Sequence, residues 1–157
     1  MKHAEKGAEL FKQGYNCAQA VFGAFCDITE LDENKAFLIS SSFGGGMGGM
    51  HLACGALTGA FMAAGILFGY NDPKATKEKT KHYDLIKEIA KRFQERNSFI
   101  DCGKLLEGLA QDNLPPKSEV AETYCHDCRP CVRFVIDACD ILDEIIEEKL
   151  KQEKVMV

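Results

Sequence analysis

Apolar residues recur along most of the chain at spacings of three and four, as in helices that bury one face. After Pro130 a long helix is predicted from one such stripe: Val132, Val135, Cys139, Leu142, Ile146 and Leu150. A second long helix, expected to begin near residues 71–73, carries the stripe Ile86, Ile89, Ala90 and Phe93. No stretch has the alternation of an antiparallel strand. The pattern predicts an all-α fold, and the length suggests one helical-bundle domain, residues 1–157.

Capping residues mark the expected helix starts. Asn16 and Gln19 have the spacing of a capping box, so a helix should begin at residue 17 and run to about residue 26. Asp32 and Asp101 are placed to cap two further helices. The stretch around Asn113 and residues 115–116 is expected to be a loop because it contains two consecutive prolines.

A run without a single charge extends from Leu52 to Tyr70. Its length would allow a membrane span, but four glycines dilute its apolarity and no aromatic or basic belt brackets it. We interpret it as a buried Gly/Ala-rich helix at the centre of the bundle, where small residues let neighbouring backbones approach. No membrane span is expected.

The charge balance limits the partners. The chain has 24 acidic and 19 basic residues and an isoelectric point near 5.4, so it lacks the basic stripe that nucleic-acid binding needs. Its first residues are charged at several positions and do not form a secretory signal. A cytoplasmic protein is therefore expected, and a homo-oligomer is compatible with these features.

Eight cysteines are the most informative residues for chemistry. In a reducing compartment they indicate metal ligands or redox thiols before structural disulfides. Four stand at predicted helix starts, where the helix dipole and unpaired N–H groups stabilise a thiolate: Cys17, Cys54, Cys102 and Cys131. Cys26 and Cys139 lie within apolar stripes and are expected to pack in the core.

Cys125, Cys128 and Cys131 form a C-x2-C-x2-C run. This spacing supplies three ligands to some iron–sulfur clusters, and the fourth would come from one of the other three helix-start cysteines. Zinc is an alternative, because four thiolates, or three thiolates with the imidazole of His126, also suit that metal.

A glycine-rich stretch, GGGMGG, occupies residues 44–49. It satisfies a dinucleotide-binding pattern, but no strand–helix–strand unit surrounds it. We favour a structural interpretation, in which the glycines let the backbone pass close to a neighbouring helix and direct Cys54 to a particular place.

Four segments carry a resemblance to a known family: GYNCAQAV from Gly14, FGGGMG from Phe43 together with CGALTGA from Cys54, CGKLL from Cys102, and CVRFVIDA from Cys131. They resemble the redox-active family named for its C, GCAxxG, C, C cysteine pattern, over nearly the whole chain. The central motif departs from that name, because Gly55 follows the cysteine instead of preceding it. The resemblance assigns the four signature positions to the same four helix-start cysteines. A related module looks to occur with an iron–sulfur centre in a multihaem cytochrome, although this chain has no C-x-x-C-H haem site.

Two main functions follow. In the first, Cys17, Cys54, Cys102 and Cys131 hold an iron–sulfur cluster, with Cys125 and Cys128 as alternative ligands, and the protein exchanges electrons with a redox partner protein. In the second, no metal is present and the four signature cysteines act as redox thiols that cycle between dithiol and disulfide. A structural zinc protein is a third possibility. Whether the chain is an enzyme is left open.

Overall fold

A computed structural model describes residues 2–107 and 131–156. Its helices are α1 (His3–Lys12), α2 (Cys17–Ala24), α3 (Cys26–Thr29), α4 (Glu33–Ser40), α5 (Gly55–Phe68), α6 (Thr76–Asn97), α7 (Cys102–Glu107) and α8 (Cys131–Val155). A short 3-10 turn, Ser41–Phe43, follows α4. Within the described ranges there is no strand, so the predicted all-α class is confirmed. The loop expected around Asn113 lies outside these residues.

The local capping signals are confirmed. The Asn16 side chain accepts a hydrogen bond from the Gln19 N–H (2.9 Å), and the Gln19 side chain accepts one from the Asn16 N–H (3.1 Å). Asp32 caps α4 by accepting from the Lys35 N–H at 3.0 Å. The predicted start of α6 was too early, because Asp72 instead closes a turn with the N–H of Lys74. The helix begins at Thr76.

The core is formed mainly by α2, α5 and α8, with α1 packed against α2 and α8. The first two turns of α5 are buried throughout, from Gly55 to Ala60, whereas Ile66 near its other end is 47% exposed. Gly59 allows α5 to pack closely against α2, since a Cβ on Gly59 would lie 2.7 Å from the carbonyl oxygen of Ala18. Among the described helices, none has the length and apolarity required to span a membrane.

Two polar clusters tie the long helices together. His3 on α1 bonds Asp143 of α8 through Nδ1 (2.5 Å) and Asp27 through Nε2 (3.1 Å), and its ring stacks on Phe25. Arg92 of α6 forms a bidentate ion pair with Glu148 of α8. These contacts join the second half of α8 to α1 and α6.

One pair of extended residues interrupts the helical pattern. Ala53, just before α5, and Asp101, just before α7, form an isolated antiparallel bridge. The Cys54 N–H donates to the carbonyl of Ile100 at 2.9 Å, and the Cys102 N–H donates to the carbonyl of Leu52 at 2.6 Å. The sequence pattern predicted no such pairing. The bridge joins two cysteine-bearing segments that are far apart along the chain.

Candidate functional site

Each of the four helix-start cysteines lies at the N-terminal end of a helix. Cys17, Cys102 and Cys131 are the first residues of α2, α7 and α8. Cys54 lies one position earlier in its helix, as the N-cap residue of α5. The capping box of Asn16 sets the start of α2, and Asp101 sets that of α7 by accepting from the Gly103 N–H at 3.0 Å.

The fold brings these four cysteines together. Cys17 hydrogen-bonds to Cys131, and negative charge on Cys131, Cys54 or Cys102 opposes ionisation of Cys17. The pKa of Cys17 is therefore raised well above its ordinary value, first by the hydrogen bond to Cys131 and then by burial and the neighbouring sulfurs. Side chains that affect one another in this way share a single site.

Cys54 is the most deeply buried of the group, with 3% of its surface exposed. Its pKa is raised to about 12 from an ordinary 9.0, first by burial and then by negative charge on Cys102 and Cys131. The N–H groups of Leu57 and Ala56, at the open end of α5, act in the opposite direction and lower this pKa. Burial outweighs them.

The sequence-based expectation of a stabilised thiolate at these helix starts is therefore wrong for Cys17 and Cys54. The pKa of each thiol is raised, because burial and neighbouring sulfurs outweigh the helix dipole. Both residues are thiols and not half-cystines. Without a bound cation, Cys17 and Cys54 therefore favour the neutral thiol form.

The glycine-rich loop forms one wall of the site. Five consecutive residues adopt the left-handed conformation: Gly45, Gly46, Met47, Gly48 and Gly49, with φ from 59° to 77°. The turn is tied back on itself by hydrogen bonds from the N–H groups of His51 and Leu52 to the carbonyls of Gly45 and Gly46. Leu52 in turn accepts from the Cys102 N–H, which places the turn directly against this cysteine.

Three glycines of this region leave space that cysteine-bearing segments fill. A Cβ on Gly46 would lie 2.7 Å from the Cβ of Cys102, and one on Gly55 would lie 3.3 Å from the Cβ of Cys17. A Cβ on Gly44 would meet the side chain of Asn16 at 2.5 Å. The glycine loop therefore acts through shape, as the sequence analysis favoured. Sequence reasoning missed the roles of Gly46 and of the Ala56 and Leu57 N–H groups.

The remaining cysteines are placed differently. Cys139 is fully buried, with its sulfur 3.0 Å from where a Cβ of Gly7 would be, so it packs in the core as predicted. Cys26 is half-buried, and its thiol donates to the carbonyl of Phe22 at 3.9 Å. Cys125 and Cys128, with His126, lie outside the described residues. Among the residues that are described, no three His, Cys, Asp or Glu side chains are arranged to hold a single metal ion.

Four clustered cysteines in a helical protein are typical of a redox or metal-binding site. The family model C_GCAxxG_C_C, described as "Putative redox-active protein", matches residues 15–145. The chain belongs to this family. No curated protein and no solved structure shows significant similarity to it.

Proposed function

We propose that this protein holds an iron–sulfur cluster through Cys17, Cys54, Cys102 and Cys131 and transfers electrons to or from a partner protein. The observation that carries the proposal is the meeting of four thiols from four helix starts at one site. When bound, such a cluster supplies one-electron redox chemistry. The protein contributes ligands, burial and the N–H groups around the sulfurs.

The donor set fits a cationic iron–sulfur core. Neighbouring sulfurs raise the pKa values of Cys17 and Cys54, because ionised sulfurs at this site repel one another. A bound cationic core would remove that repulsion. The N–H groups of Leu57 and Ala56 already favour negative charge on the sulfur of Cys54. The space left by Gly46 and Gly55 lets Cys102 and Cys17 approach the loop and α5 closely.

A cluster suits this arrangement better than a single zinc ion does. Tetrahedral zinc needs all its ligand atoms about 2.0–2.3 Å from one point. The described side chains do not surround such a point. A cluster binds its cysteines through different iron atoms, so its ligands are spread more widely. Cys125 and Cys128 stay alternative ligands in this proposal.

Metal-free dithiol exchange is the second candidate, and the contact between Cys17 and Cys131 favours it. Against it stands the pKa of about 12 for Cys54 and the raised pKa of Cys17, because an attacking cysteine needs a substantial thiolate fraction. Of the two candidates, cluster binding requires all four signature cysteines, whereas exchange requires only two.

The proposal is tested by purifying the protein without oxygen and measuring iron, sulfide and the visible spectrum. We expect iron and sulfide in the wild type, with a visible chromophore that bleaches on reduction. Cys54→Ser should lose most of this absorbance, because it removes a buried ligand.

Cys26→Ser is the control, since it also removes one thiol, here a half-buried one, but lies outside the site. It should retain the iron content of the wild type. Wild-type protein without iron and sulfide, but with a reversible two-electron thiol couple, would instead support dithiol exchange. Protein with neither property would contradict both candidates.

A further inference from the structure

The four cysteines of the site are not equally placed for bonding to one another. Cys17 and Cys131 are in direct side-chain contact, through the hydrogen bond between their sulfurs. Both are first residues of helices, and α2 and α8 pack against each other in the core. The backbone therefore holds these two sulfurs close together, and little movement is needed to join them.

Cys54 and Cys102 are related in a different way. The bridge pairs Ala53 with Asp101, so Cys54 lies opposite Ile100 and Cys102 lies opposite Leu52. The two cysteines are diagonal neighbours, and diagonal residues of an antiparallel pair are about 7–8 Å apart. Disulfide-bonded residues have Cα atoms no more than about 7 Å apart. A disulfide between Cys54 and Cys102 would require the bridge to shift.

We propose that hydrogen peroxide oxidises the metal-free protein to a disulfide between Cys17 and Cys131, and that this bond closes the site to iron. The Cys54 and Cys102 thiols are not joined in this reaction. The first part depends only on the geometry of the two pairs. The second part rests on the proposed function, because it assumes that Cys17 and Cys131 are cluster ligands.

The reaction needs one peroxide molecule for each pair of thiols. One sulfur of the pair attacks the peroxide as its thiolate. The peroxide O–O bond breaks, one oxygen joins that sulfur as a sulfenic acid, and the other leaves as water. The second sulfur of the pair then forms the S–S bond, and the sulfenic oxygen leaves as a second water. Two thiols lose two electrons, and the peroxide gains them.

The experiment treats metal-free, fully reduced protein with one equivalent of peroxide, blocks the remaining thiols by alkylation and maps disulfides by mass spectrometry. We expect the bond between Cys17 and Cys131 to account for most of the disulfide. Cys26→Ser should give the same map. A dominant bond between Cys54 and Cys102, or between Cys131 and either Cys125 or Cys128, would overturn the proposal.

Iron uptake tests the second part. Reduced and peroxide-treated wild type are each incubated with iron and sulfide, without oxygen and without a thiol reductant. We expect uptake in the reduced sample, at least a fivefold loss in the oxidised one, and recovery after phosphine reduction. Equal uptake in both samples refutes closure. If the reduced sample takes up no iron, the proposed function and the closure both fail, while the disulfide map still decides the pairing.

Discussion

Gly46 and Cys102 are so close that a Cβ on the glycine would lie 2.7 Å from the Cβ of the cysteine. Gly46 has a φ of 67° and is buried within the left-handed turn. This contact joins the glycine loop to the start of α7. It explains why the site tolerates no side chain at this point of the loop.

Gly46→Ala should therefore disturb the site as well as the fold. The left-handed conformation alone costs an alanine about 1–2 kcal/mol. The clash with Cys102 adds to this cost and displaces the cysteine. We expect the free energy of unfolding to fall by more than the cost of the left-handed conformation alone. We also expect reduced iron retention.

Gly49→Ala separates these two effects. Gly49 has a φ of 77°, but a Cβ there would meet no atom within 4 Å. In urea unfolding, the free energy of unfolding of this variant should fall only by the cost of the left-handed backbone conformation. The variant should keep the iron content of the wild type. If the two alanine variants behave alike, the contact with Cys102 has no role in the site.

Asn16 gives a second link between a local signal and the site. Besides its capping box, its side-chain amide donates to the carbonyl of Ser41 at 3.2 Å, which ties the start of α2 to the 3-10 turn that leads into the glycine loop. Asn16→Ala should cost about 1 kcal/mol of stability, as for other caps. It should also speed loss of iron to a chelator, because Cys17 is the next residue along the chain.

Asp32→Ala is the matched control for that prediction. Asp32 caps α4 through one hydrogen bond to the Lys35 N–H, so its removal should cost a similar free energy. Iron release should stay at the wild-type rate. Equal acceleration in both variants would mean that general destabilisation, and not the position of Cys17, controls iron release.

The parts of the site that could be predicted from the sequence depend on neighbouring residues. The capping box of Asn16 and Gln19 and the cap at Asp101 place Cys17 and Cys102 at helix starts, because a cap needs only the next three residues. The helical stripe after Pro130 likewise places α8. These signals give the class of fold and the positions of the cysteines within their helices.

What could not be predicted depends on contacts between distant segments. The bridge between Ala53 and Asp101 has no signal in either short segment, yet it sets the diagonal relation of Cys54 and Cys102. The left-handed turn includes Met47, a residue whose type does not indicate that conformation. The pKa of Cys54 also follows from burial by the whole fold, which reverses the effect expected from its helix alone.

Gly59 and Gly65 test how closely α2 and α5 must pack. Gly59→Ala would place a Cβ 2.7 Å from the Ala18 carbonyl oxygen, whereas Gly65→Ala would meet no atom within 4 Å. We expect the first to lower the free energy of unfolding by about 1–3 kcal/mol. The second should raise it by about 0.5–1 kcal/mol through helix propensity. Urea unfolding measures both, and destabilisation of equal size would contradict the packing argument.

The buried thiol of Cys54 should make the metal-free protein sensitive to alkaline pH. Its pKa is about 12 in the folded protein and 9.0 in the ordinary exposed state, so the folded thiol holds its proton when the unfolded one loses it. The stabilising effect is therefore complete below pH 9.0 and decreases as the pH rises towards 12. For this one group, the free energy of unfolding falls by about 1.4 kcal/mol per pH unit in that window.

Cys54→Ser removes this titration and leaves the other ionisable groups in place. Between about pH 8 and about pH 10.5, wild type should lose about 2 kcal/mol more stability than the variant, from the slope above. Urea unfolding of metal-free protein in a phosphine reductant measures the difference, and tyrosine and lysine titration cancels between the two proteins. Parallel curves over this range would show that the Cys54 thiol ionises as readily in the folded protein as in the unfolded chain.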